Sequence, residues 1–122
     1  MISVAELAWV AGFIEGEGCF YFSPKTAHIS FMVCAAQVQR WPLDQLQKLV
    51  GGKIGRIAPR KGKGHWAWNL TGPRGVGLAL TLFSAMSPDR RQKIKELLLV
   101  WKKTAPMAPK HVERFWRLYG HV

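Results

Sequence analysis

Apolar and polar positions follow two different periods along this chain. Leu7, Val10, Ala11 and Ile14 recur at helical spacing. In front of them Ser3-Val4-Ala5-Glu6 is a capping-box pattern, an N-cap serine with a glutamate three residues on. A first helix is expected from Ser3 to about Glu17-Gly18, with Gly18 supplying the positive φ that helix ends often adopt. The period then shortens. Cys19-Phe20-Tyr21-Phe22 has strand composition, and Ser23-Pro24 ends it. From His28 to Val38, the positions Ile29, Phe31 and Val33 alternate with His28, Ser30 and Met32, the pattern of a half-buried strand. Only Pro24 to Ala27 separate the two runs, so an antiparallel hairpin is expected.

The same sequence of periods then returns. Trp41-Pro42-Leu43-Asp44 opens a second helix with Pro42 near its first position. Leu43, Leu46, Leu49 and Val50 form its stripe, and Gly51-Gly52 stop it. Lys53 to Ala58 is a third strand, Pro59 to Gly64 a basic turn, and His65 to Leu70 a fourth strand. That strand puts Trp66, Trp68 and Leu70 on one face and His65, Ala67 and Asn69 on the other. Gly72-Pro73 opens a third helix through Val76, Leu78, Leu80, Leu82 and Phe83. Ser87-Pro88-Asp89 caps a fourth, running to about Lys103 through Ile94, Leu97, Leu98 and Trp101. Pro106 and Pro109 break the chain before a short terminal helix ending near Tyr119. Hairpins followed by helices predict an α+β fold, a four-stranded antiparallel sheet with helices on one face and the other face open.

Length and charge narrow the use of that open face. At 122 residues, one domain covering 1–122 is expected. With 48% apolar residues and six Trp, disorder is excluded. Eighteen Lys+Arg against seven Asp+Glu give +11, a self-repulsion that a polyanionic partner would relieve. Nucleic acid is favoured, and an anionic membrane surface comes second. No long amphipathic basic helix stands apart from the core, and the apolar stretches Ala8–Ile14 and Leu97–Trp101 are too short to span a bilayer. The N-terminus lacks the basic segment of a secretory signal. Cys19 and Cys34 make no CxxC pattern and, lying in apolar runs, read as reduced core residues.

The stretch Val10-Ala11-Gly12-Phe13-Ile14-Glu15-Gly16-Glu17-Gly18 carries the chemistry. Gly12 and Gly16 share one helix face at i, i+4, and each costs about 1 kcal/mol relative to Ala. A helix carries that cost where another backbone approaches closely. Glu17 sits at the negative end of the helix dipole, a repulsion that a metal ion would offset.

This stretch resembles the LAGLIDADG motif of homing endonucleases, and Trp9 to Phe20 matches its flanks as well. The αββαββα order agrees with that family's fold over about residues 3–103, leaving about 104–122 as a C-terminal helical extension. The resemblance implies a metal-dependent, site-specific endonuclease cutting double-stranded DNA, of the kind carried by introns or inteins. It places the protein inside a cell: the cytoplasm of a bacterium or phage-infected cell, or an organelle. A single motif implies a homodimer, paired through Val10, Ala11, Gly12, Phe13, Glu15 and Gly16, on a pseudo-palindromic site. Glu17 matches the metal-binding, catalytic acid, joined by the backbone carbonyl of Gly16, and Glu15 matches the motif's other, structural acid. Mg²⁺ suits such an all-oxygen site, with Mn²⁺ or Ca²⁺ as alternatives. Two helpers of the family pattern are replaced. Ala35 aligns where a strand glutamine is common, with Gln37 two residues on, and Asp89 aligns with a basic position, with Arg90 and Arg91 adjacent. Those departures keep a second reading open, a DNA- or RNA-binding protein of the same fold without nuclease activity, such as a maturase or regulator.

A β-ribbon can enter the major groove and read base edges. The first hairpin offers Tyr21, Ser23, Lys25, His28, Ser30 and Met32 for this. The second offers Arg56, Arg60, Lys61, Lys63, His65, Ala67 and Asn69. Lys61 and Lys63, in a glycine-rich turn, suit phosphates. The parity of the third strand is open: if Ile54 faces the core then so does Arg56, and Lys53 faces DNA instead.

Overall fold

The computed structural model of the chain describes residues 2–23, 30–59 and 62–104. Its elements are α1 (Val4–Glu17), β1 (Gly18–Ser23), β2 (Ser30–Gln37), α2 (Trp41–Val50), β3 (Lys53–Ile57), β4 (His65–Thr71), α3 (Gly72–Leu82), a 3-10 turn (Phe83–Ala85) and α4 (Pro88–Thr104). The four strands form one antiparallel sheet in the order β1-β2-β4-β3. The αββαββα order is therefore as expected. The 3-10 turn, which lets α3 end and α4 begin, was not legible in the pattern. The expected terminal helix lies outside the described residues. Among the described residues no helix is long and apolar enough to cross a membrane, and no polar or charged residue is buried.

Two compact units divide the chain, Met1–Cys19 with Val33–Leu70, and Phe20–Met32 with the segment from Thr71. In the first, α1 begins with the capping box in full. The Glu6 N–H donates to Ser3 Oγ at 3.1 Å, and the Ser3 N–H donates to Glu6 Oε1 at 2.9 Å. Hydrogen bonding to the carboxyl, from the Ser3 backbone N–H first and from the Ser3 side chain second, holds Glu6 below the usual carboxylate range. The stability linked to that shift is present above the usual carboxylate pKa and is lost as pH falls through the lowered value. Val10 and Ile14 are fully buried, as are Leu43 and Leu46 of α2.

The connection from α2 to β3 fixes the sheet edge. Gly51 and Gly52 have φ of 83° and 103°, values that favour glycine. The Trp68 indole N–H donates to the Gly51 carbonyl at 2.8 Å, and the Gln47 amide donates to the Gly52 carbonyl at 3.1 Å. A Cβ on Gly52 would run into the Trp68 indole and lie 2.7 Å from the Asn69 carbonyl. β3 and β4 therefore pair in one register, Lys53 opposite Asn69, Ile54 opposite Trp68 and Arg56 opposite Trp66.

In the second unit Phe22 and Phe31 meet edge to face with ring centroids 6.1 Å apart. Val76, Ala79 and Leu82 of α3 and Ile94, Leu98 and Trp101 of α4 are buried, each set at helical spacing.

Gly52→Ala is expected to destabilise the protein by about 1–3 kcal/mol through strain and overlap. Gly77→Ala, on α3 where a Cβ meets nothing within 4 Å, is expected to stabilise it by about 0.5–1 kcal/mol. Urea denaturation of the two variants, with opposite shifts in midpoint, checks the pair.

Candidate functional site

Glu17 is the last residue of α1, and the strand begins at the next residue. Gly18 permits this junction, but not by the expected route. Its backbone is extended, with φ −92°, so no positive φ is involved. What excludes a side chain is crowding: a Cβ would sit 2.9 Å from the Ile14 carbonyl oxygen and 3.0 Å from Ile14 Cα and Cγ2. The Gly18 N–H instead donates to that carbonyl. The last turn of α1 holds no basic residue, so nothing there offsets the Glu17 carboxylate at the negative end of the helix.

One side chain from the sheet reaches the acid. The Gln37 amide donates to Glu17 Oε2 at 3.0 Å. Gln37 ends β2 and lies on the same strand face as Phe31, Val33 and Ala35, all of which are buried. Ala35 is 5% exposed, a core position with no polar atom to offer. The strand period of two is the signal: a shift from Ala35 to Gln37 keeps the face and moves the amide along the strand to the acid. Asp89, the other departure, lies exposed in the first turn of α4, where a carboxylate is favourable.

The glycine face of α1 is bare. Gly12 and Gly16 are exposed, and a Cβ on either would meet nothing within 4 Å. Packing among the described residues therefore gives no reason for either glycine. Ala11, Phe13 and Glu15 are partly exposed, and Trp9 stacks on Phe13 with centroids 5.3 Å apart. Val10 corrects the expected pairing set: it is fully buried in its own chain, on the stripe it shares with Ile14.

The hairpin faces can be sorted from the register. Across β3 and β4, Lys53, Gly55 and Ile57 share one face with Asn69, Ala67 and His65. Ile54 and Arg56 share the other with Trp68 and Trp66, and Trp68 is fully buried. Of the two alternatives for the third strand, Lys53 accompanies His65 and Asn69, and Arg56 does not. The Arg56 guanidinium lies 5.1 Å from the Trp66 ring centroid, with that of Arg40 at 4.7 Å. Arg40 also pairs with Asp44 at 3.0 Å. Trp66 is thus half-buried between cations rather than a core residue. Lys63 is exposed beyond Gly62.

On the first hairpin Tyr21 is exposed and Met32 half-exposed, while Ser23 and Ser30 are the strand-end residues of β1 and β2. Lys25, His28, Arg60 and Lys61 lie outside the described residues. The cysteines are not core residues either. Cys19 is exposed and Cys34 partly so, alternating with buried Gly18, Phe20, Val33 and Ala35. Partial burial and contact with Cys19 push the Cys34 thiol up to about 12. Among the described residues no three His, Cys, Asp or Glu side chains come together as a metal-binding group.

Trp66→Leu removes the ring that both guanidiniums share and is expected to cost about 1 kcal/mol at this partly exposed site, read by urea denaturation.

No protein-family model matches the sequence, and no curated protein matches it. Solved structures do. The group I intron-encoded homing endonuclease I-CeuI, complexed with DNA, superposes with a TM-score of 0.64 at 10% identity, over 84% of this chain and 56% of that one. The LAGLIDADG meganuclease I-AabMI, bound to uncleaved DNA, gives 0.61 at 20% identity, over 79% of this chain and 35% of its own. The homing endonuclease I-CvuI, in complex with a DNA target, gives 0.55 at 19% identity, over 97% of this chain and 96% of its own. The chain thus spans about half the length of I-CeuI and about a third of I-AabMI, but nearly all of I-CvuI.

Proposed function

Starting from the fold of the LAGLIDADG homing endonucleases, we propose that this chain is half of a homodimeric, divalent-metal-dependent, site-specific DNA endonuclease. The observation that carries the reading is the bare face of α1. Among the described residues Gly12 and Gly16 have no neighbour to accommodate, yet they sit on the helix whose last residue is Glu17. A second α1 packed on that face supplies the missing reason. The two helices approach closely only without Cβ atoms at the crossing, and the approach carries a second Glu17 to the first.

The metal belongs to that pairing. One chain offers a single carboxylate, Glu17, with the carbonyl of Gly16 in the same last turn, too few ligands for a protein-held ion. Two chains offer two carboxylates, which together with phosphate and water make the oxygen set that Mg²⁺ takes. I-CvuI was determined with DNA targets in the presence of Mg or of Ca. A bound divalent ion would stabilise charge on the attacking and leaving oxygens of phosphodiester hydrolysis. The chain's own residues do the rest. Glu17 would hold the ion, and Gln37 holds one oxygen of Glu17 in place. Lys53 and Lys63 meet phosphates, while His65 and Asn69 face the base edges. The +11 of each chain is matched to the duplex by its phosphates. A two-fold axis gives both half-sites the same reader, hence a pseudo-palindromic target.

Ala35 and Asp89 favour a second reading, in which the dimer binds nucleic acid without cutting it. Selection of bound and of cleaved sites from a duplex library, with Mg²⁺, separates the two. Sequence-limited cutting that Glu17→Gln abolishes while binding persists supports the nuclease. Tight, salt-sensitive binding with no cutting supports the second reading.

Two further outcomes are expected. Sedimentation should give twice the chain mass, and Gly16→Leu should give a folded monomer by circular dichroism. A wild-type monomer that still cuts both strands at one site would rule out the shared centre. Lys53→Ala should lower the slope of log affinity against log salt by about one contact, and Arg56→Ala should change it little, as read by titration at several salt concentrations.

A further inference from the structure

We propose that Cys19 and Cys34 form an oxidation site, a pair of thiols on adjacent strands that a small-molecule disulfide converts into one intrachain disulfide. The inference stands on the sheet alone and does not depend on the nuclease reading. β1 and β2 are neighbours in the sheet. Cys19 alternates with buried Gly18 and Phe20, and Cys34 with buried Val33 and Ala35, so both side chains leave the sheet on the side away from the core. Fifteen residues apart in sequence, they are in contact: the Cys34 thiol donates to the Cys19 carbonyl at 3.8 Å. Facing residues on neighbouring antiparallel strands have Cα atoms about 4.5–5.5 Å apart. A disulfide spans about 4.4–6.8 Å. The contact between the two residues across these neighbouring strands is what brings their thiols within reach of such a bond.

The two thiols also differ in access, which orders the reaction. Cys19 is exposed, and Cys34 is half-covered beside it. The Cys19 sulfur attacks the small disulfide, forming a mixed disulfide and releasing one small thiol. The Cys34 sulfur then attacks Cys19 sulfur and displaces the second. Two protons and two electrons pass from the cysteines to the reagent, which leaves as two thiols. An excess of small thiol reverses both steps.

The test uses the full native chain and oxidised glutathione. After treatment the protein is denatured, alkylated with N-ethylmaleimide and weighed intact. Loss of both alkylations, a mass lower by two hydrogen atoms, a single-chain band on a non-reducing gel and full recovery with dithiothreitol are expected. Peptide mapping should join the Cys19 and Cys34 peptides. Cys34→Ser should stop at one glutathione on Cys19, and the reaction of the wild type should slow at least tenfold in guanidinium, where the sheet no longer pairs the thiols. Two alkylations after treatment would overturn the proposal. So would two attached glutathiones, a cross-link only between chains, or equal rates in native and denatured protein.

Discussion

One helix with two incompatible faces organises the rest of this protein. α1 buries Val10 and Ile14 completely, yet presents Gly12 and Gly16 to open space. Its apolar character is therefore spread round the helix rather than confined to one stripe, the composition of a helix meant to be covered on more than one side. Among the described residues one side is covered and the glycine side is not. Two internal glycines weaken the isolated helix by about 2 kcal/mol relative to alanine. The capping box at Ser3 and Glu6 recovers part of this at the other end. The proposed pairing makes physical sense of the arrangement, with the glycine side as the approach surface and Glu17 at its end.

The sheet is held in register by a comparable economy of residues. Trp68 fills the core with its ring and ties the α2–β3 connection with its N–H. Because Gly52 leaves room for that indole, Ile54 comes to lie opposite Trp68 and every other residue of β3 follows. The faces of the hairpin thus acquire different roles. One carries Lys53, His65 and Asn69 outward. The other sets the exposed Arg40 and Arg56 against the Trp66 ring, where their guanidiniums meet its π face. Net positive charge is a property of the whole chain, but its usable part is decided strand by strand.

Much of this was legible from residue order. The change of period after Glu17, the paired glycines at 51 and 52, and the capping box each identify an element through a local rule that tertiary structure did not overrule. The nine-residue motif put Glu17 at the junction of helix and strand, where the structure has it. What escaped was of two kinds. Parity in β3 could not be read because Lys53, Gly55, Arg56 and Ile57 are all exposed, which removes the alternation that sequence reading relies on. Partnership across strands escaped too. Gln37 reaching Glu17, and Cys19 meeting Cys34, depend on how adjacent strands align, and composition carries no record of that alignment. Gly18 was placed correctly for the wrong reason: crowding by Ile14, not a left-handed backbone, excludes a side chain there.

The junction at Gly18 has a consequence for changes of chain length. Most connections absorb insertions cheaply, since closure entropy grows slowly with loop length. Between Glu17 and Gly18 there is no loop to lengthen. One residue added to the helix would carry the acid round the axis by about 100°. One added to the strand would exchange its two faces. A change of length is therefore far costlier here than in a loop, because it would break the fixed relation of the acid, the helix face and the first strand. A substitution on the outward faces leaves the position of the acid untouched, whereas a change of length at this junction does not.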